Sequence, residues 1–504
     1  MTLIQPDLLA QLAGNFPDAV AWKNLADGSE LRMGEWHSQS NRLARGLRSQ
    51  GLKPGGRVAL AIMPDEPLVW LISYMAIHKA GGVAVPLNTR LSHPELRRIL
   101  QLADVTLLLA SPSVVEGDVP ITEPHVTVAT VGAGSTGLAW DELLHADDAD
   151  LGHRISADHV ADIMYTSGTT GLPKGVVVRH GGLSSNDRRP DEWSGAGFIT
   201  SSPFSTTTGS LLICGPMRGG LSGWFLPRFD TERWLHVVES DRPVVAFLVP
   251  AMVQLIVANP ASLGFDLSSM AVVSIGSAPI ASETLRRLGT LMPAAEVVVG
   301  YGMTEFGAAT AMPLGDAGAH LGSVGVPLPG VTVHIADDEG NELAAGEVGQ
   351  VIITGERPRR EYFNDSAESD RTWQGGLLQS GDLGYLDIDG YLWIVGRSKE
   401  TIIRGGNNIM PGEVEAALFA HPDVAEAAVA GLAHPVLGED VAAWIVLRPG
   451  ATTSADALRT ALLERLADYK VPRRFTFLDA LPRNEAGKVQ KSLLSLDDHT
   501  RSAS

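Results

Sequence analysis

From Arg57 onward the chain alternates short apolar runs with stretches of helical periodicity, and this alternation restricts the fold more than any other feature. "RVALAI" is followed by "PLVWLISYMAIHKAG", "GVAVPL", "SHPELRRILQLAD" and "VTLLLA", which reads strand, helix, strand, helix, strand. Strands joined through helices run parallel, so the segments predict a largely parallel sheet covered by helices. The second helix is signalled at its start, with Ser92 as N-cap, Pro94 in the first turn and Glu95 in the N3 position of a capping box. A further α/β stretch runs from Ala161 to about Tyr301, with "VVAFLV", "AVVSIG" and "AEVVVG" as buried strand candidates.

After that the texture changes. Gly322 to Gly396 is rich in Gly, Asp and short alternating segments such as "GQVIIT" and "YLWIVG", which predicts a β-rich subdomain with tight turns. "DIDG" at 387–390 reads as a β-turn. The last hundred or so residues are enough for a separate domain. They carry a helix opened by Pro411 with Glu413 and Glu415 near its start, the strands "VAEAAVAG" and "VAAWIVL", and a helix capped by Ser454. With 504 residues the chain exceeds what one hydrophobic core supports. The expected class is α/β: a large N-terminal domain (1–396) of αβ-layered subdomains plus the β-rich subdomain, a hinge at 397–400, and a small mobile C-terminal α+β domain (401–504).

A formal charge of −19 excludes a general affinity for nucleic acid or anionic membrane, so any phosphate-bearing ligand has to meet a local site. The single cysteine, Cys214, excludes an intrachain disulfide and a thiolate zinc cluster; its apolar neighbours make it a core thiol. With no basic-then-apolar leader read at the N-terminus, the expected compartment is cytoplasmic. The longest apolar stretch, Val244 to Ala258, is broken by Pro250 and Gln254 and is too short to span a bilayer, so no integral membrane association is expected.

The strongest chemical signal is "MYTSGTTGLPKGV", Met164 to Val176, where an apolar strand runs into a Ser/Thr/Gly loop that ends at Lys174. Glycines at 168, 171 and 175 let consecutive N–H groups converge, and Thr166, Ser167, Thr169 and Thr170 add hydroxyl donors. The spacing is not that of a Walker A loop, because no Ser or Thr follows Lys174. By composition alone the segment also reads as a flexible linker.

Its full wording, "YTSGTTGLPKG", resembles the phosphate-binding signature of the adenylate-forming enzymes: acyl- and aryl-CoA synthetases, adenylation domains of peptide synthetases, and luciferase. The resemblance continues in order along the chain through "KAGGVAVPLN" at 79–88, "GSAPI" at 276–280, "YGMTE" at 301–305, "SGDLGYLDIDGYLWIVGRSKETIIRGGNNIMPGEVE" at 380–415 and "PRNEAGKVQK" at 482–491. It implies that Thr166, Ser167, Gly168, Thr169, Thr170, Gly171 and Lys174 hold the phosphates of ATP. Gly276, Ser277 and Ala278 would enclose the adenine with Tyr301 and Gly302. Thr304 can hydrogen-bond phosphoryl or carboxylate oxygen, and Glu305 can hold Mg2+. Asp382 would take the ribose hydroxyls with support from Arg397, Lys399 would be the hinge, Gly405 and Gly406 would line the channel for coenzyme A, and Lys488 would be the catalytic lysine. The acyl pocket would be bordered by Phe204, Ser205, Gly209, Gly276 and Phe306.

The implied activity is an acyl-CoA ligase that makes an acyl-adenylate from a small-molecule carboxylic acid and ATP, releases pyrophosphate, and passes the acyl group to coenzyme A. "SPFSTTTGSL" departs from the family pattern, with Ser205 where many members have a histidine. Its small side chains lean towards a wide pocket and a bulky or polycyclic acid, and the absence of an acidic residue there argues against an amino acid. "NN" at 407–408 and Val299 are milder departures. Delivery of the adenylate to a carrier protein or partner enzyme, a homodimer, a luciferase-like oxygenase and a non-catalytic adenylate-binding paralogue all stay open. Retention of Lys488 argues against the last.

Overall fold

The computed structural model describes residues 3–116, 121, 125–132, 137–152, 154–167, 173–183, 188–316, 318–484 and 487–494. Two compact units emerge: residues 1–247 with 303–307 and 356–371, and residues 248–302 with 308–355 and 372–504.

The first unit holds the predicted parallel sheet. Its strand order is Leu138–Ala139, Thr127–Thr130, Leu107–Ala110, Arg57–Ala61, Val83–Pro86, Val160–Ser167 and Pro173–Arg179, and every neighbouring pair is parallel except the last. Val160–Ser167 therefore extends the first sheet, whereas its sequence neighbours had placed it in the later α/β stretch. A second array runs Val245–Leu248, Gly197–Thr200, Ser222–Phe225, Val20–Asn24 and Glu30–Arg32, so an N-terminal segment lies beside one two hundred residues later.

Helix Pro67–Lys79 starts with a proline that loses no intrahelical hydrogen bond there, and its apolar residues occupy every face. Trp70, Leu71, Ile72, Tyr74, Met75, Ala76 and Ile77 are all buried, as a core helix requires. Trp36 Nε1 donates to Leu71 O at 3.0 Å and Trp140 Nε1 to Ser73 Oγ at 2.9 Å, which satisfies both indoles inside the core. Helix Met33–Ser49 depends on Gly46, where a Cβ would lie 1.7 Å from Leu143 O. Helix His93–Leu102 begins as predicted: the Glu95 carboxylate accepts from Ser92 N–H at 2.8 Å and from its hydroxyl at 2.7 Å. Cys214 is buried, and burial pushes its thiol up to about 12.

Buried polarity in this unit centres on Asp162. Its carboxylate takes the Tyr74 hydroxyl at 2.9 Å and pairs with His78 Nε2 at 2.9 Å. The His78 ring meets His180 edge to face, 4.8 Å between centroids.

In the second unit, strand Val272–Ile275 runs parallel to Glu296–Met303, with helices Pro250–Ala258 and Ser282–Leu291 alongside in sequence. The predicted β-rich segment is an antiparallel sheet in the order Val331–Ala336, Gly349–Gly355, Leu377–Leu386, Trp373–Gln374, with Leu392–Arg397 also paired to Leu377–Leu386. After a single turn of 3-10 helix at Ser398–Glu400, a new sheet begins: Asn407–Ile409, Ile402–Arg404, Gly438–Leu447 and Val424–His434, with Arg474–Phe477 on Gly438–Leu447. Among the described residues, the core under it, including Ile402, Val414, Leu418, Val429, Ile445, Leu458 and Val471, draws on residues 402–477. The fold is mixed α/β, a large N-terminal domain followed by a small C-terminal one.

His180 is buried and held neutral, its imidazole pulled down from 6.5 to about 2 by burial first and by His78 second. The unfolded chain takes up that proton below its ordinary value, so the contribution is complete above about pH 6.5 and is lost as pH falls towards 2, at up to ~1.4 kcal/mol per pH unit. His180→Gln is expected to flatten the fall in stability between pH 6 and 4, read from urea midpoints; an unchanged slope would assign the acid sensitivity elsewhere.

Candidate active site

Strands Val160–Ser167 and Pro173–Arg179 run antiparallel, with Thr166 opposite Lys174 and Ser167 opposite Pro173. Gly168, Thr169, Thr170 and Gly171 lie outside the described residues. Pro173–Arg179 is the last strand of the sheet, and its outer edge is covered by residues 361–363. Val177 N–H donates to Glu361 O at 2.8 Å, Phe363 N–H donates to Gly175 O at 2.7 Å, and Val176 bridges Tyr362.

This pairing delivers three side chains that sequence reading missed. Lys174 Nζ sits 2.6 Å from Glu368 Oε1 and 5.6 Å from the centre of the Tyr362 ring. Hydrogen bonds from Lys174 and then Arg371 hold the Glu368 carboxyl below its usual range. Tyr362 OH donates to Glu305 Oε1 at 2.6 Å. Arg360 donates through Nη1 to Thr304 O at 2.9 Å and through Nη2 to Gly182 O at 2.7 Å. A fourth, Thr207, joins hydroxyls with Thr304 at 2.9 Å. Nothing local marked these residues, because each acts through a partner far away in sequence.

The segment expected at the acyl pocket is shaped by its own turn. Thr206 caps helix Thr207–Leu212 by accepting from Gly209 N–H at 3.0 Å. A Cβ on Gly209 would lie 1.9 Å from Pro203 O, so glycine is required there by the turn itself. Phe204 is a core ring, 4% exposed, edge-on to Trp22 and stacked on Phe225. Its aromatic surface goes to packing. Ser205 is half-buried, and Phe306, next in sequence after Glu305, is buried.

In the second unit the expected ribose residues come together. Asp382 is 4% exposed, accepts from Tyr301 OH at 2.5 Å and pairs with Arg397 Nε at 3.0 Å. Its own N–H donates to Ser380 Oγ at 3.0 Å, and that hydroxyl donates to Val351 O at 2.6 Å, which ties the strand down on both sides. Burial, then Asp382, raises the Tyr301 phenol, so it stays a donor. Gly276 to Ala278 follow strand Val272–Ile275; Ser277 adopts a left-handed φ of 76°. Gly302, the last residue of this unit before Met303, is exposed.

Lys399 is exposed in the 3-10 turn between the two sheets. Beside it, Lys491 pairs with Glu400 at 3.1 Å and with Glu415 at 2.9 Å. Gly405 and Gly406 form the two-residue turn of the hairpin Ile402–Ile409, with φ of 57° and 82°. Positive φ at both central residues is the type I′ condition that glycine meets without strain. Lys488 is exposed on a hairpin loop closed by Asn484 N–H to Lys488 O at 2.8 Å and Lys488 N–H to Asn484 Oδ1 at 2.9 Å. Arg483 braces that loop, donating to Gly487 O at 2.7 Å and pairing with Glu426 at 2.7 Å.

Residues 9–363 match the family model described as AMP-binding enzyme, and residues 413–488 match that of the AMP-binding enzyme C-terminal domain. A feruloyl-CoA synthase from an Amycolatopsis species is 35% identical over 92% of this chain and 93% of its own length. An indoleacetate–CoA ligase of Aromatoleum aromaticum is 31% identical over 89% and 90%. The crystal structure of ATP-bound MatB from Rhodopseudomonas palustris superimposes with a TM-score of 0.85 at 30% identity, covering 97% of each chain.

A left-handed non-glycine residue costs roughly 1 kcal/mol. Ser277→Gly is therefore expected to raise stability by about that amount in urea unfolding. A loss of stability instead would mean that the serine side chain repays the strain.

Proposed function

The chain belongs to the AMP-binding enzyme family, and from that premise we propose that it is an AMP-forming acid–thiol ligase, an ATP-dependent acyl-CoA synthetase. The observation that carries the reading is the buried Asp382 carboxylate, held by Tyr301 and Arg397 and built like an acceptor for paired ribose hydroxyls.

In the first half-reaction a carboxylate oxygen bonds to the α-phosphorus of ATP while the bond to pyrophosphate breaks, and the pyrophosphate departs with the electron pair. A carboxylate is a weak nucleophile that the phosphates repel, so the residues have to align two anions and offset the charge that develops. Lys174, with Thr166 and the loop after Ser167, would hold the leaving phosphates. Thr304 would hydrogen-bond the reacting oxygens, and Lys488 would bridge carboxylate and α-phosphate. Gly276 to Ala278 and Gly302 would border the base.

Glu305 offers a half-buried hard oxygen donor oriented by Tyr362, which fits Mg2+, an ion commonly bound by one or two carboxylates plus phosphate oxygens. Bound there, Mg2+ would supply charge neutralisation on the phosphates. In the second half-reaction a thiol sulfur attacks the acyl carbonyl, AMP leaves, and the thiol proton passes to solvent. The change between the two would turn at Lys399, between the domains 1–396 and 401–504, withdrawing Lys488 and presenting Gly405 and Gly406 to the pantetheine thiol. Cys214, buried and protonated, takes no part.

Ser205 and Thr207 would keep the acyl side small-sided, and two relatives bear names of ring-bearing acids, so we favour a bulky aryl or polycyclic acid. Among the described residues no helix is long and apolar enough to cross a membrane.

Acid-dependent ATP–pyrophosphate exchange across a panel of fatty, aryl and polycyclic acids tests the reading, with coenzyme A added in a second series. Exchange is expected with ring-bearing acids, thioester only when coenzyme A is present, and a loss of at least roughly a hundredfold in Lys488→Ala. A parent protein that binds ATP but exchanges with no acid would sink the proposal.

A further inference from the structure

Arg360 is a fully enclosed guanidinium, 4% exposed, in the segment that pairs with the sheet edge. Burying such a group is tolerable only when its donors are satisfied and an anion is near. Both conditions hold. Nη1 and Nη2 donate to the carbonyls of Thr304 and Gly182, which belong to separate stretches of chain. Burial first and the like charge of Arg357 second draw the guanidinium down to about 10, while Asp162, Glu305 and the Tyr74 oxygen work against them. At neutral pH it remains a cation.

Two glycines lie against it, and the tighter is Gly307. A Cβ on Gly307, whose φ is 92°, would lie 3.1 Å from Arg360 Nη2, and one on Gly182 would lie 3.7 Å from the same atom. The segment Thr304–Gly307 thus starts at a carbonyl gripped by Arg360 and ends at a glycine that lies against Arg360. Between those two points stand Thr304, joined to Thr207, and Glu305, joined to Tyr362. Nothing in this arrangement lets Arg360 itself reach a substrate.

We propose that Arg360 is a positioning residue for acyl-adenylate formation: its grip on the Thr304 carbonyl sets the direction in which Thr304 Oγ1 and the Glu305 carboxylate face the reacting groups. The proposal rests on the adenylation reading above. A lysine keeps the charge but carries its three donors on one ammonium nitrogen in place of a planar fork, so it cannot hold two divergent carbonyls in the same geometry.

The test compares Arg360→Lys, Arg360→Met, Thr304→Ala and the double variant Thr304→Ala/Arg360→Lys by ATP–pyrophosphate exchange, thermal unfolding, and binding of Mn2+ in the presence of ATP read by its paramagnetic resonance. Arg360→Lys is expected to unfold close to the parent temperature, to lose about tenfold to a hundredfold in kcat with KM for ATP nearly unchanged, and to bind Mn2+ several-fold more weakly. Because part of what Arg360 does passes through Thr304 and the rest through Glu305, the double variant should lose clearly less than the product of the two single losses. If Arg360→Met fails to fold, the lysine variant and the double variant still decide the matter. Losses that multiply in the double variant, or exchange and Mn2+ binding within about twofold of the parent in Arg360→Lys, overturn the positioning role. A parent without exchange for any acid refutes adenylation and the positioning role with it, whereas an active parent with unaffected variants refutes the positioning role alone.

Discussion

An edge strand cannot leave its row of N–H and C=O groups without partners when a site is built beside it, and the first unit answers that need by bringing in residues 361–363 from far along the chain. The hydrogen bonds between Val177 and Glu361 and between Phe363 and Gly175 fix the register of this added segment. Register sets direction, because successive side chains in an extended segment point to opposite faces. Arg360 and Tyr362 therefore face alike, towards Thr304 and Glu305, and the helix Ser366–Thr372 that follows brings Glu368 to Lys174. A slip of one residue in this pairing would turn Arg360 and Tyr362 away from both.

Charge is managed locally in each unit. A chain of formal charge −19 has no general attraction for a polyphosphate or a carboxylate, so cations have to be placed singly and kept from collapsing onto the wrong partner. Lys174 is pre-positioned on Glu368, whose second oxygen is engaged by Arg371. In the second unit the almost fully buried Asp382 carboxylate is held by the hydroxyl of a raised, protonated Tyr301 and by Arg397. Arg360 follows the same rule with neutral carbonyls doing most of the binding.

Local signals in the sequence were reliable where the physics is local. The capping box at Ser92 and Glu95, the Ser454 cap, the proline-opened helices and the "DIDG" turn are decided by residues within a few positions of one another. The segment around Ser205 was harder. Read as a list of small side chains it describes a wide pocket, but Gly209 is small because Pro203 O lies against it, and Phe204 is turned into the aromatic core. Smallness in sequence does not separate space left for a ligand from space already taken by backbone.

Element types, the α/β class, the positions of the Lys174 loop and of the Asp382, Arg397 and Lys488 segments, and the chemistry those residue types can perform are all legible in the residues alone. Tertiary structure alone decided which strands are neighbours: Val20–Asn24 lies beside Ser222–Phe225, and Val160–Ser167 joins Val83–Pro86. It alone decided that Arg360, Tyr362, Glu368 and Thr207 stand against Thr304, Glu305 and Lys174. The reason is one of range. Caps, turns and periodicity follow from steric and hydrogen-bonding rules that act over a few residues, whereas the partner of a buried arginine or of an edge strand is set by how distant segments pack, and no short window of sequence contains both sides of that contact.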